Sequence, residues 1–338
     1  MTAADDRTDS ARVSRPAAFA HFVARAGEGR NSLPRIVFGS LLAVALWLAG
    51  TLVILVGATF ALLSMRGMPP DWIEALGALN ALTETRFGTV AAIFSLAAIW
   101  PGVWLALRLF HTRRMNTLFG AGGRLDWSGF RRAALVTLAV AGALGLFGAI
   151  FEPSLQRSSL PLSTWLSLVP AMAVVLLLQT SAEEIFFRGY LLQSLAHRFR
   201  SPWIWAGAPT IVFALGHFPS GAQPWMAALI VLAIAVFALG AVALVRATGN
   251  LGAAMGFHFA NNLVALLLVA SSTDQTSLAL FVVPPVDDPG WTPGDALAAG
   301  LQQIAMVACV LGLLLWRRSP FRIGEAPPRP APVPSNSG

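Results

Sequence analysis

Eight apolar runs divide this chain, approximately at 36–63, 89–110, 132–151, 163–190, 202–218, 225–245, 250–270 and 296–316. The hydrocarbon core of a bilayer is about 30 Å thick, so a spanning helix needs about 20 apolar residues. Only helices and closed barrels satisfy every backbone polar group in lipid. Runs of this length therefore predict an all-α polytopic membrane protein with about eight transmembrane helices. Composition agrees: charged residues make up 12% of the 338, against about 25% in soluble domains, and mean hydropathy is +0.68. An ordinary soluble enzyme, a disordered chain and a fibrous chain are excluded.

The 23 basic residues are all arginine, and their positions test the span map. Leaving Arg188 aside, 19 fall in alternate connections, counting the two end segments, and 3 (Arg66, Arg86 and Arg157) in the others. The positive-inside rule then predicts both termini in the cytoplasm, in a cytoplasmic (inner) membrane. A net charge of +7 would suggest nucleic acid in a soluble chain; here it reports orientation, and no nucleic-acid partner is expected. The first apolar run is read as a retained helix and not a cleaved signal. The expected organisation is a cytoplasmic segment 1–35, spans 1–3 over 36–155, a core of spans 4–7 over 156–270, an extracytoplasmic loop and eighth span over 271–318, and a disordered Pro-rich cytoplasmic tail over 319–338. Segment 111–132 reads as an interfacial stretch on the cytoplasmic face. Cys309 is the single cysteine, so an intrachain disulfide is excluded.

A charge at membrane depth is expensive, about 2.5–3.5 kcal/mol on the insertion scale, and is a functional hypothesis by default. Three places carry such residues. In the fourth run, Glu183 and Glu184 are adjacent and Arg188 follows. At about 100° per residue the two carboxylates diverge, and Glu184 meets Arg188 at i,i+4. Glu183 is left free as a general base, sharing a face with Gln179 and Tyr190. The alternative is a solvated Glu-Glu at the end of a shorter helix. In the fifth run His217 follows Phe213 by one turn; a capping or interfacial histidine is the plainer reading. In the seventh, His258 and Asn262 lie at i,i+4 with Asn261 beside them, and helix–helix hydrogen bonding by asparagine is the alternative.

Together these residues are a set that peptide hydrolysis needs. A carboxylate and an imidazole can deprotonate water, and imidazole or amide donors can stabilise an oxyanion. Alternatively two histidines and a carboxylate bind zinc, leaving a position for water. Helical rise places Glu183 about 21 Å before His197, His217 about 24 Å beyond Ser201 and His258 about 12 Å beyond Asn250. Convergence needs tilted helices, or a fifth helix that starts outside the lipid, and the site is expected to open towards the cytoplasm.

Glu-Glu-x-x-x-Arg at 183–188, Phe-x-x-x-His at 213–217 and His-x-x-x-Asn at 258–262, in that order on three helices, resemble the CPBP family. These are CAAX-type prenyl endopeptidases and bacteriocin-processing enzymes, also called Abi proteins. The resemblance spans roughly 163–270 and implies an eight-helix intramembrane endopeptidase acting on a membrane-associated protein or peptide. It implies Glu183 as the water-activating carboxylate, His217 as its partner, and His258 with Asn262 as the oxyanion pair. Glu184, Arg188 and Phe213 are implied as supporting residues. In the family's metalloprotease reading, His217 and His258 ligate zinc. The arginine-only, alanine-rich composition is that of a high-GC bacterium, where prenylated C-termini are not expected. Peptide maturation, membrane-protein cleavage and self-immunity against a bacteriocin all fit. A non-proteolytic scaffold of the same fold and a proton-coupled transporter are the alternatives outside hydrolysis.

Overall fold

A computed structural model describes residues 16–67, 72–152, 154–273 and 276–324. The proline-rich tail beyond 324 and the first 15 residues lie outside the described part. Six helices are long and apolar enough to cross a membrane, and two shorter apolar helices complete the expected eight. A helix precedes them, and two short helices, Trp72–Gly77 and Leu79–Thr83, follow the first span; the helices labelled below are α1 (Ala17–Ala24), α2 (Leu33–Met65), α3 (Arg86–His111), α4 (Trp127–Phe151), α5 (Leu162–Arg198), α6 (Trp203–Leu215), α7 (Pro224–Thr248), α8 (Gly252–Leu267) and α9 (Pro293–Leu315).

Local chemistry sets the helix ends. Asp126 caps α4, its carboxylate accepting from the backbone N–H of Ser128 and Gly129 at 3.0 Å each. Thr292 and Asp295 cap α9 reciprocally, with the Asp295 carboxylate 2.9 Å from the Thr292 N–H. Where α8 packs on α4, Gly252 and Gly256 meet it face to face. A Cβ on Gly256 would lie 2.1 Å from the Phe130 carbonyl oxygen, and one on Gly252 2.2 Å from that of Asp126. This is the small-x-x-x-small spacing that lets membrane helices approach closely.

The helices alternate in direction, so the bundle has two chemically different ends. One end collects Arg25, Arg30, Arg113, Arg114 and Arg124. Here α1 is docked inward, with Phe19 and Phe22 fully buried and Phe19 packed 5.3 Å from Trp205. Gln193 of α5 donates to the carbonyls of Phe22 and Thr117 at 2.9 Å each. Asn250 accepts from the N–H of Asp126 and Gly252 and donates to the Arg124 carbonyl. Segment 111–132, read as interfacial, is thus folded into the bundle. Its Arg113 is buried, and burial lowers that guanidinium to about 10. Ile323 returns to the same end, bonding the Leu314 carbonyl.

The other end carries a three-stranded sheet that the helix-only expectation missed. Strands β1 (Gln156–Arg157), β2 (Val269–Ser271) and β3 (Phe281–Val283) run in the order β1-β3-β2, antiparallel then parallel. Trp165 ties α5 to this end by donating to the Leu267 carbonyl at 2.8 Å.

Candidate active site

The polar residues of the three motifs converge between α5, α6, α7 and α8. In α5 every residue from Gln179 to Phe186 is buried. Thr180 and Ser181 return their hydroxyls to carbonyls of their own helix, Leu176 and Leu178, while the two carboxylates and the Gln179 amide reach across to α8.

Glu184 is the hub. Its Oε1 accepts from Arg188 Nη1 at 2.8 Å and from His258 Nδ1 at 2.9 Å. The i,i+4 pairing read from spacing is therefore present, fully buried. Arg188 also donates to the Ala238 carbonyl of α7 at 3.1 Å and lies 4.7 Å over the Phe213 ring. With Nδ1 committed to Glu184, His258 turns Nε2 towards Glu183, 3.5 Å from its Oε2. Glu183 Oε2 is buried with no hydrogen-bond partner among the described residues. One imidazole thus stands between two carboxylates, one anchored and one free. The free one is Glu183, the residue expected to act as base.

Asn262, one turn beyond His258, donates to Gln179 Oε1 at 3.1 Å and accepts from Asn261 at 3.1 Å. Gln179, which helical spacing places on the face of Glu183, holds Asn262. Tyr190, which helical spacing places on that face too, turns elsewhere: its hydroxyl lies 2.8 Å from His111 Nε2 and 3.2 Å from the Ile36 carbonyl. The cause is a π-helical stretch from Ile185 to Leu192. Extra residues per turn there rotate Tyr190 off the face that α-helical spacing predicts.

His217 lies just past the end of α6, in a turn. Its Nδ1 donates to the Phe213 carbonyl at 2.8 Å and its ring packs 4.6 Å from that of Phe213. The Phe213 ring in turn packs edge-on to His258 at 6.0 Å. No hydrogen bond or ion pair joins His217 to Glu183; the histidine against both glutamates is His258. Phe237 at 5.2 Å closes the far side of the His258 ring. Neither Phe237 nor the Ala238 carbonyl carries a sequence signal, since apolar side chains and backbone atoms look alike along a span.

A metal fits this arrangement poorly. Among the described residues no group of three or more His, Cys, Asp or Glu side chains is placed to hold an ion. His217 and His258 have Nδ1 engaged by a carbonyl and by Glu184, which leaves each with Nε2 as the nitrogen it could offer an ion.

Fold and site together define a multi-pass helical membrane protein with a glutamate–histidine cluster buried between its spans. Residues 165–264 match the family model described as type II CAAX prenyl endopeptidase Rce1-like. This match agrees with the resemblance to the CPBP, CAAX-protease family that the three motifs carry. An uncharacterized protein of Bacillus subtilis (strain 168), YyaK, is 25% identical over 295 residues, covering 86% of this chain and 93% of the relative. No solved structure matches the chain.

Proposed function

We propose that the chain is an endopeptidase of the cytoplasmic membrane that hydrolyses a peptide bond of a membrane-associated protein or peptide. The observation that carries this reading is the seating of His258 between Glu184 and Glu183. Glu183, the carboxylate without a fixed partner, takes a proton from water as the water attacks the scissile carbonyl, and returns it to the leaving amine. Glu184, accepting from Nδ1, holds the His258 ring with Nε2 on the side of Glu183; as imidazolium between the two carboxylates, the ring donates its Nε2–H to the developing oxyanion. The Asn262 amide, released from Gln179 when the peptide binds, is the second donor to the oxyanion. His217, held by its Nδ1 bond and by Phe213, keeps Nε2 as an acceptor that orients the water which Glu183 deprotonates. No step is routed through zinc, because the donor set described above does not assemble around one position.

The test compares the termini of membrane proteins in cells carrying wild type and cells carrying Glu183→Gln at equal protein level. Loss of the general base lowers turnover by about 10²–10⁴-fold. Cleaved termini present in wild type and missing from the variant are expected, and they identify the substrate. Identical termini in the two strains would remove Glu183 from the mechanism.

A further inference from the structure

The cluster is packed shut on one side and loose on the other. Towards the arginine-bearing end, α8 is buried at every residue from Gly252 to His258, and α5 from Gln179 to Phe186 and again from Arg188 to Tyr190. Beyond them Leu118, Leu251, Phe22 and Phe19 are fully buried, with α1 laid across. Towards the sheet end packing changes within one turn. Residues 261–264 of α8 are half-buried, and between Ala227 and Phe237 no residue of α7 is buried. A small cluster of Met172, Leu176, Leu267 and Leu278 walls only the α5–α8 side.

His217 locates the gap. Phe213 is buried on the inward stripe of α6, and His217 follows it by one turn and stacks on its ring, yet His217 is exposed. An exposed ring packed against a buried one marks the level at which packing opens on this side of the bundle. The length of α6 gives the same result independently. Its 13 residues rise about 20 Å, short of the roughly 30 Å hydrocarbon core. Residues 216–223 therefore cross the remaining depth as irregular backbone up to the start of α7. Such backbone at membrane depth is tolerated where it lines water or is buried in protein, and residues 216–218 are exposed.

We propose that the cluster is reached through a water-filled mouth on the sheet end of the bundle, between 216–223, the first half of α7 and Asn261. Resting on the endopeptidase reading, its substrate is an extended polypeptide segment presented at that membrane face, opposite the arginines. The half-buried amides of Asn261 and Asn262 face this side, with Gln179 buried behind them and bonded to Asn262. Each amide both donates and accepts, which suits the unpaired N–H and C=O groups of an extended backbone. This reverses the expectation that the site opens towards the arginine-rich, cytoplasmic side.

Cysteine accessibility tests it. In a Cys309→Ser background, His217→Cys, Asn261→Cys and Ser220→Cys are treated with a membrane-impermeant sulfonate thiol reagent on either face of sealed vesicles. Asp287→Cys marks the sheet face and Arg114→Cys the arginine face. The three mouth positions are expected to react from the Asp287→Cys face and not from the other. Reaction from the Arg114→Cys face, from both faces or from neither overturns the proposal. Ser220 bonds no member of the cluster, so Ser220→Cys is expected to keep cleavage until it is modified from the sheet face, which also shows that the variant is folded. One-sided labelling in a chain that cleaves nothing would leave the mouth standing and remove the endopeptidase reading.

Discussion

Arg188 couples three helices through one guanidinium: Glu184 on its own helix, the Ala238 carbonyl of α7 and the Phe213 ring of α6. Removing one member of a buried ion pair leaves the other charge unpaired, at a cost of about 3–5 kcal/mol. Arg188→Met is therefore expected to lower stability by that amount in detergent unfolding. The double variant Glu184→Gln, Arg188→Met should regain most of the stability while cleavage stays lost, because His258 no longer has an anion on Nδ1. If the double variant were as unstable as the single one, the packing of Arg188 and not its charge would be what matters. At this scale the sequence was legible where spacing along one helix decides the contact, as for Glu184 with Arg188. It was not legible where the partner lies on another helix, as for His258, or where helical register changes, as for Tyr190.

At the scale of elements, the long spans follow from composition, since an apolar run in lipid has to close its hydrogen bonds within itself. The short pieces do not. Strands of two or three residues carry no period, and α1, with eight residues, is shorter than an isolated helix that could hold itself together. It is held by the partners it finds, and Gly249 sets how closely it can lie. Gly249 ends α7 with φ of 63°, and a Cβ there would come 2.3 Å from the Ala18 carbonyl oxygen. Gly249→Ala is expected to cost about 1–2 kcal/mol from the left-handed backbone alone, and to push α1 outward. Faster tryptic cleavage after Arg25 is the readout; unchanged cleavage would mean that α1 does not depend on this contact.

At the scale of the whole molecule, the two ends of the bundle differ in charge, so orientation has a direct test. With the arginine-bearing end in the cytoplasm, alkaline phosphatase inserted in the loop 284–291 should be active, and the same enzyme fused after Trp316 inactive. The opposite pattern would invert the chain. The docked N-terminal helix also has a consequence for the order of synthesis. Its residues leave the ribosome before any span, but the surface that receives them includes Trp205 and Gly249, which belong to the later half of the chain. The earliest-made element cannot take its place until the seventh helix of the bundle has been translated. Its arrival marks the end of assembly, and until then the arginine-side floor beneath the glutamates is open.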